Sequence, residues 1–245
     1  GHDGHSAMLL GAARYLSQTR EFQGSVQFIF QPAEEGLAGG RAMVEDGLFE
    51  RFPVEAVFGL HNWPGLPVGQ IAIQSGPVMA AFDNFDITIS GRGGHAAMPH
   101  QTIDPVVVAA QLITALQTTV SRTDPLESAV LSVTQMQAGQ AYNIIPDQVV
   151  LKGTVRCLRP QMQDQMEAAI RRITRGVCDA HGATAEVVYG RQYPPTINTA
   201  GESDFAAGVV RECFGSETLV TDLPPSMGSE DFAFMLQEKP GCYVK

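Results

Sequence analysis

Two adjacent carboxylates, Glu34 and Glu35, sit in the stretch Phe30-Gln31-Pro32-Ala33-Glu34-Glu35-Gly36. Pro32 and Gly36 bracket the pair, so it reads as a turn. The turn follows a short apolar run, residues 26–30, which reads as a buried strand. Open α/β sheets place their ligand sites at that end of their strands. Neighbouring residues on an extended turn point in different directions, so one carboxylate can bind a cation while the other faces a water on it. A Lewis acid and a general base are the two parts that metal-assisted hydrolysis needs. The same pair also fits a solvated acidic turn, because acidic groups in loops are usually exposed.

Two histidine-bearing stretches could join it. Gly1-His2-Asp3-Gly4-His5 precedes a helical period of apolar residues (Met8, Leu9, Ala12, Ala13, Leu16), which places the cluster in the loop and first turn before a helix. His2 can present an imidazole there, and Asp3 can orient a neighbouring ligand from behind. A polar helix cap is the alternative. Residues 54–60 read as a second buried strand that runs into His61-Asn62-Trp63-Pro64. His61 is a ligand if Glu35 and His2 lie beside it, and otherwise a loop histidine. Trp63 reads as a packing residue.

The elements that must position these groups follow from the remaining pattern. Residues 40–46 read as a short helix closed by Gly47, and 69–75 as a strand. From Gly76-Pro77 the pattern changes. Phe85, Ile87 and Ile89 alternate with polar residues, the mark of a half-buried antiparallel strand over 82–90. Gly91-Arg92-Gly93-Gly94-His95 is a turn, and Asp104-Pro105 starts a helix with Pro at its first position. A strand at 129–135, a strand at 149–157, a helix from Arg159-Pro160 to about residue 180 and a strand at 183–189 complete a β-α-β-β-α-β order, the ferredoxin-like pattern. The expected organisation is therefore a first domain in two parts, 1–77 and 193–245, with a second domain, 78–192, inserted into it. Pro194-Pro195 reads as the return hinge. Residues 205–214 read as a helix. Gly228-Ser229-Glu230-Asp231-Phe232 reads as the start of another, with Ser229 as cap and its two acids serving the helix dipole.

Composition narrows the classes. The chain has 245 residues, room for one large or two small domains. A hydrophobic share of 44% supports a real core. A net charge of −10 argues against nucleic acid or an anionic membrane as partner. The sequence holds neither a long apolar run nor a signal peptide. Cys157, Cys178, Cys213 and Cys242 are widely spaced in a pattern that suits neither a metal site nor a disulfide framework, which points to reduced thiols in a cytoplasm.

Taken together, the motifs resemble the co-catalytic metallopeptidases related to aminoacylase and the glutamate carboxypeptidases. More narrowly, they resemble the amidohydrolase branch that includes hippurate hydrolases and hydrolases of auxin–amino acid conjugates. The stretches that carry the resemblance are Gly1-His2-Asp3-Gly4-His5, Gln31-Pro32-Ala33-Glu34-Glu35-Gly36, Gly59-Leu60-His61, Gly91-Arg92-Gly93-Gly94-His95-Ala96, Asn143-Ile144-Ile145-Pro146, Gly153-Thr154-Val155-Arg156 and Gly228-Ser229-Glu230-Asp231-Phe232, in the family's order. The resemblance implies a zinc-exopeptidase-like α/β/α catalytic domain with an inserted ferredoxin-like α+β lid and dimerisation domain. It implies a metal-dependent amidohydrolase acting on N-acyl or N-aroyl amino acids, and a homodimer formed through the lid.

The resemblance also implies roles. His2, Glu35 and His61 match ligands of two divalent metal ions; zinc or manganese suits them first, and cobalt or nickel is compatible. Glu34 matches the general base. His95 matches the lid histidine that holds the substrate carbonyl, often across a dimer interface. Asn143 and Arg156 match residues that grip the substrate, with a turn-stabilising Asn and a solvated strand Arg as the plain alternatives. Asp3 and Glu230 stand behind the ligands. A family Cys ligand would fall just before Gly1 and a last His beyond Lys245, so the chain is expected to be an internal fragment with three of five ligands. The competing reading is an inactive fragment or non-catalytic homologue that associates only through its lid.

Overall fold

The computed structural model describes residues 2–245. The chain divides into two compact units: Gly1–Met79 with Tyr193–Lys245, and Ala80–Gln192. No helix among the described residues is long and apolar enough to cross a membrane.

In the first unit, short parallel strands form the frame. Val57–Leu60 pairs in register with Gly241–Val244, and Ile71–Ala72 with Leu219–Val220. Ala72 and Lys245 exchange backbone hydrogen bonds (2.7 and 3.1 Å), which joins the two pairs. Gly76–Met79 pairs antiparallel with Thr196–Asn198. Buried Asn198 fixes that corner. Its amide donates to the carbonyls of Gln74 and Tyr243, and its oxygen accepts the Tyr243 N–H at 2.7 Å. The helices Gly39–Glu45, Ala200–Phe214 and Ala233–Glu238 complete the unit, and Gly47, at φ 83°, takes the left-handed conformation expected after the first of these. Leu48, Val57, Val78, Met79, Phe232, Met235 and Tyr243 make one core, and Ile73, Ala207, Val210 and Cys242 a smaller one.

Three expectations fail in this unit. Residues 26–30 form no strand, and Val26 and Phe30 are exposed. A strand exists by pairing, and no described strand pairs with this one. The first helix takes in the histidine cluster expected in the loop and first turn before it, beginning at His2 and running to Thr19. Finally, Ser229 does not cap a helix. The helix starts at Ala233, and Glu230 and Asp231 are buried before it.

The second unit is a four-stranded sheet in the order Ala129–Ala138, Gln148–Cys157, Ala81–Ser90, Thr184–Tyr193. The central pairs are antiparallel. Ala81, Asp83, Phe85, Ile87 and Ile89 alternate inward and meet Val149, Leu151, Val155 and Cys157 from the neighbouring strand. Gly153 lies opposite Phe85, where a Cβ would stand 2.2 Å from the ring, so the ring's place requires glycine. Two helices pack on this core. Pro105–Leu116 is capped by the Asp104 carboxylate, which accepts the Val106 N–H at 2.9 Å. Pro160–His181 buries Met162, Met166, Ile170, Thr174 and Cys178 at four-residue spacing and ends at Gly182, φ 68°. The one carboxylate in this core, Asp83, accepts from Gln163 and Tyr189, both at 2.6 Å.

Phe85 is 1% exposed at the centre of that core. Phe85→Ala should cost about 3–5 kcal/mol in chemical denaturation of the second unit. A loss under about 1 kcal/mol would show that its packing contributes no more than an ordinary surface side chain.

Candidate metal and catalytic site

The acidic turn is tightly built. Glu34–Leu37 is nominally helical, but Ala33 (φ 53°), Gly36 (φ 82°) and Ala38 (φ 50°) all take left-handed backbone and Glu35 departs from helical values. Such geometry at alanine is uphill and persists only where surroundings enforce it. Two groups do so. The Tyr193 hydroxyl donates to the Glu34 carbonyl at 2.6 Å and accepts the N–H groups of Gly36 (3.1 Å) and Ala38 (3.2 Å). The Asp231 carboxylate, fully buried, accepts the Gly40 N–H at 2.7 Å and the Gln31 amide. Gly39 and Gly40 permit this approach: a Cβ on Gly39 would stand 1.8 Å from the Pro32 carbonyl oxygen.

Around the turn the candidate ligand atoms form a continuous chain. His2, His5 and His61 lie with ligand atoms within 4.8 Å of one another, as do His2, Glu34 and Glu35, and as do Glu34, Glu230 and Asp231. His2 links the imidazoles to the acidic turn, its Nδ1 3.9 Å from a Glu35 oxygen. His61 Nδ1 donates to the Asn62 carbonyl at 2.6 Å, which leaves Nε2 free to ligate. His5 Nε2 lies against Asn62, 2.5 Å from its side-chain oxygen and 3.1 Å from its backbone nitrogen. Imidazole nitrogens and carboxylate oxygens at this spacing fit divalent transition ions. Asp3 lies exposed in the first turn of the helix that carries His2 and His5.

Electrostatics separate the roles. Burial, followed by the charges of Glu230, Asp231 and Glu35, raises Glu34 from its ordinary 4.5 to about 7. That suits a group which must take up and release a proton near neutrality; a bound cation would pull the value down again. Burial lowers His61, against its hydrogen bond to Asn62, and nearby His5, His2 and Lys245 lower it further, so its neutral, ligating form is favoured. Asp231 is raised, first by burial. Glu230 accepts the Tyr243 hydroxyl at 2.6 Å and the Phe232 N–H at 3.3 Å. It serves the acidic cluster rather than a helix dipole. Trp63 packs in the core of this unit, with the Lys245 ammonium 4.1 Å over its ring.

In the second unit His95 and Asn143 are brought together. Gly94–His95 pairs antiparallel with Ile144–Ile145, and the Ala96 N–H donates to the Asn143 carbonyl at 2.9 Å. A Cβ on Gly93 would stand 2.6 Å from the Ile145 carbonyl oxygen, so the glycines allow this contact. Both side chains belong to exposed residues. Arg156 lays its guanidinium 4.0 Å over the Phe82 ring, on the sheet face opposite the helices' core.

Three contributors went unassigned in the sequence. His5 had a signal, because His-x-x-His on a helix puts both rings on one face. Asp231 resembled a helix-start acid. Tyr193 has no local signal beyond standing before Pro194-Pro195.

The chain belongs to the peptidase family M20/M25/M40, whose profile matches residues 1–245. It is 42% identical to an N-acetylcysteine deacetylase of Bacillus subtilis over all of this chain and 63% of that protein. It is 41% identical to a hippurate hydrolase of Campylobacter jejuni over all of this chain and 64% of that one. It thus spans under two thirds of the length of these relatives. It is also similar to the solved structure of a dinuclear metal-binding M20 peptidase of Bacillus subtilis, with a TM-score of 0.84, 37% identity and coverage of 99% of this chain and 62% of that one. The mixed α/β fold is that of these metallopeptidases.

The raised Glu34 has a consequence for the metal-free protein. The folded state holds a proton that the unfolded chain releases above its ordinary 4.5, so folding stability falls as pH rises from about 4.5 to about 7. Glu34→Gln should flatten that part of the profile of urea midpoint against pH. Parallel profiles would show that Glu34 ionises without cost.

Proposed function

We propose that the protein carrying this chain is a metal-dependent amidohydrolase that cleaves the amide bond of N-acyl or N-aroyl amino acids. The observation that carries this reading is the chain of ligand atoms from His61 and His5 through His2 to Glu35 and Glu34, with the proton affinity of Glu34 raised to about 7. The relatives' substrates support it, since N-acetylcysteine and hippurate are both N-acylated amino acids.

His2, Glu35 and His61 would hold two divalent ions, and His5 lies close enough to take part. Zinc or manganese suits the mixed nitrogen and oxygen donors. When bound, such ions supply Lewis-acid polarisation of the scissile carbonyl and acidify water. Glu34 accepts the proton of the attacking water and delivers it to the leaving nitrogen, a shuttle that its position between the imidazoles and Glu230 allows. Asp3, in the first helical turn, and Glu230, behind Glu34, serve to orient the groups in front of them. His95 donates to the oxygen on which charge develops, with Asn143 beside it. Arg156 grips the substrate carboxylate through its planar fork. In this reading the Ala80–Gln192 unit is a lid and the dimerisation surface. The four free thiols suit a cytoplasmic setting.

Two substitutions, made at the relatives' full length, test the roles. Glu34→Gln should keep its metal and lose about 10²- to 10⁴-fold in turnover of N-acetyl and N-benzoyl amino acids, because only the proton shuttle is removed. Activity within a few-fold of the unmutated protein would end Glu34's candidacy as base. His61→Ala should lower metal content by elemental analysis, and unchanged content would remove His61 from the ligand set. Unmutated full-length protein that binds metal without hydrolysing either substrate would favour a non-catalytic relative.

A further inference from the structure

We infer that Tyr193 is the positioning residue of the acidic turn: its hydroxyl fixes the backbone on which Glu34 and Glu35 ride. The inference rests on the proposed role of Glu34. One phenol satisfies three polar groups of the turn: the Glu34 carbonyl (2.6 Å) and the N–H groups of Gly36 (3.1 Å) and Ala38 (3.2 Å). Those bonds straddle Glu35 and span Gly36 and Ala38, two of the turn's left-handed residues. Gly36 is itself exposed, so its N–H would otherwise face water, and water cannot select the left-handed conformer.

The phenol is held in turn. Tyr193 is 5% exposed, and its ring meets Phe234 edge-on at 6.1 Å. Pro194 confines the residue before it to extended backbone, and Pro195 stiffens the segment that follows. Asp231 holds the other side of the turn through Gly40 and Gln31, so it anchors the segment without fixing the peptide between Glu34 and Gly36. That peptide's orientation sets the direction in which the two carboxylates point. Displacing a catalytic group by about 1 Å is enough to cost about 100-fold.

The test begins with the unmutated protein. Amide hydrogen exchange at Gly36 and Ala38 should be slow despite the exposure of Gly36, and exchange at free-peptide rates would overturn the inference outright. The Tyr193→Phe variant keeps the ring and its contact with Phe234 but loses the hydroxyl. In the metal-loaded, full-length protein it should speed exchange at both amides by about tenfold or more, with exchange in Gln148–Cys157 unchanged. Its kcat should fall about 10- to 100-fold with KM within a few-fold. Faster exchange with unchanged kcat would show that the turn is held without being positioned for chemistry. Lower kcat with unchanged exchange would show that Tyr193 acts by another route. Should the variant not fold, the exchange rates of the unmutated protein still decide whether the clamp exists. Absence of hydrolysis by the unmutated protein would count against the amidohydrolase reading, and the exchange arm would still decide the clamp.

Discussion

A carboxylate with no access to water, Asp231, ties together segments two hundred residues apart. It accepts the Gly40 N–H and the Gln31 amide, and so fixes both ends of the segment that carries Glu34 and Glu35. A buried carboxylate is expensive unless fully hydrogen-bonded. Here its bonds go to the two places that determine where the acidic turn stands. The glycines at 39 and 40 are the other half of that arrangement, because a side chain at either would push the turn away from its anchor. Losing Asp231 would therefore act on the turn as well as on the core.

This clamp also explains why the acids are crowded. Glu34, Glu230 and Asp231 lie with oxygens within 4.8 Å, and Glu35 adds its charge to Glu34. Burial raises Glu34 and Asp231 first, and the opposition of like charges at that spacing raises them further. Neutral donors relieve part of the repulsion: the Tyr243 hydroxyl on Glu230, and the amides on Asp231. A cation held by His2, His61 and Glu35 would relieve much more of it. An anion-rich cluster beside imidazoles is thus electrically arranged for divalent ions, and binding them to the folded state alone would stabilise the fold.

Local chemistry made much of the second unit legible. Phe85, Ile87 and Ile89 alternate because one face of their strand is buried, and Asp104-Pro105 starts a helix because a carboxylate cap and a proline both favour it. The element order in that unit and the short helix before Gly47 were readable for the same reason. What could not be read was tertiary. Residues 26–30 have the composition of a strand, yet strand formation depends on a neighbouring edge that composition does not reveal. Glu230 and Asp231 look like first-turn acids until the chain folds and places them against Gly40 and Tyr243. Tyr193 lies more than 150 residues from the turn it holds, so sequence spacing carries no trace of its role.

The acidic turn therefore divides its determinants by range. The residues proposed to do chemistry, Glu34 and Glu35, are contiguous and were visible as a pair. Asp231, which anchors the segment, and Tyr193, which gives the pair a direction, lie more than 150 residues further along the chain and act largely through backbone groups, which constrain geometry without dictating local side-chain identity. The strain at Ala33 and Ala38 follows from that division. A turn shaped only by its own sequence would relax to right-handed backbone or use glycine at those positions, as it does at Gly36. Alanine in left-handed backbone at both sides of the pair is the local sign that the turn's shape is imposed from outside, and the bonds from Tyr193 and Asp231 are the means by which it is imposed.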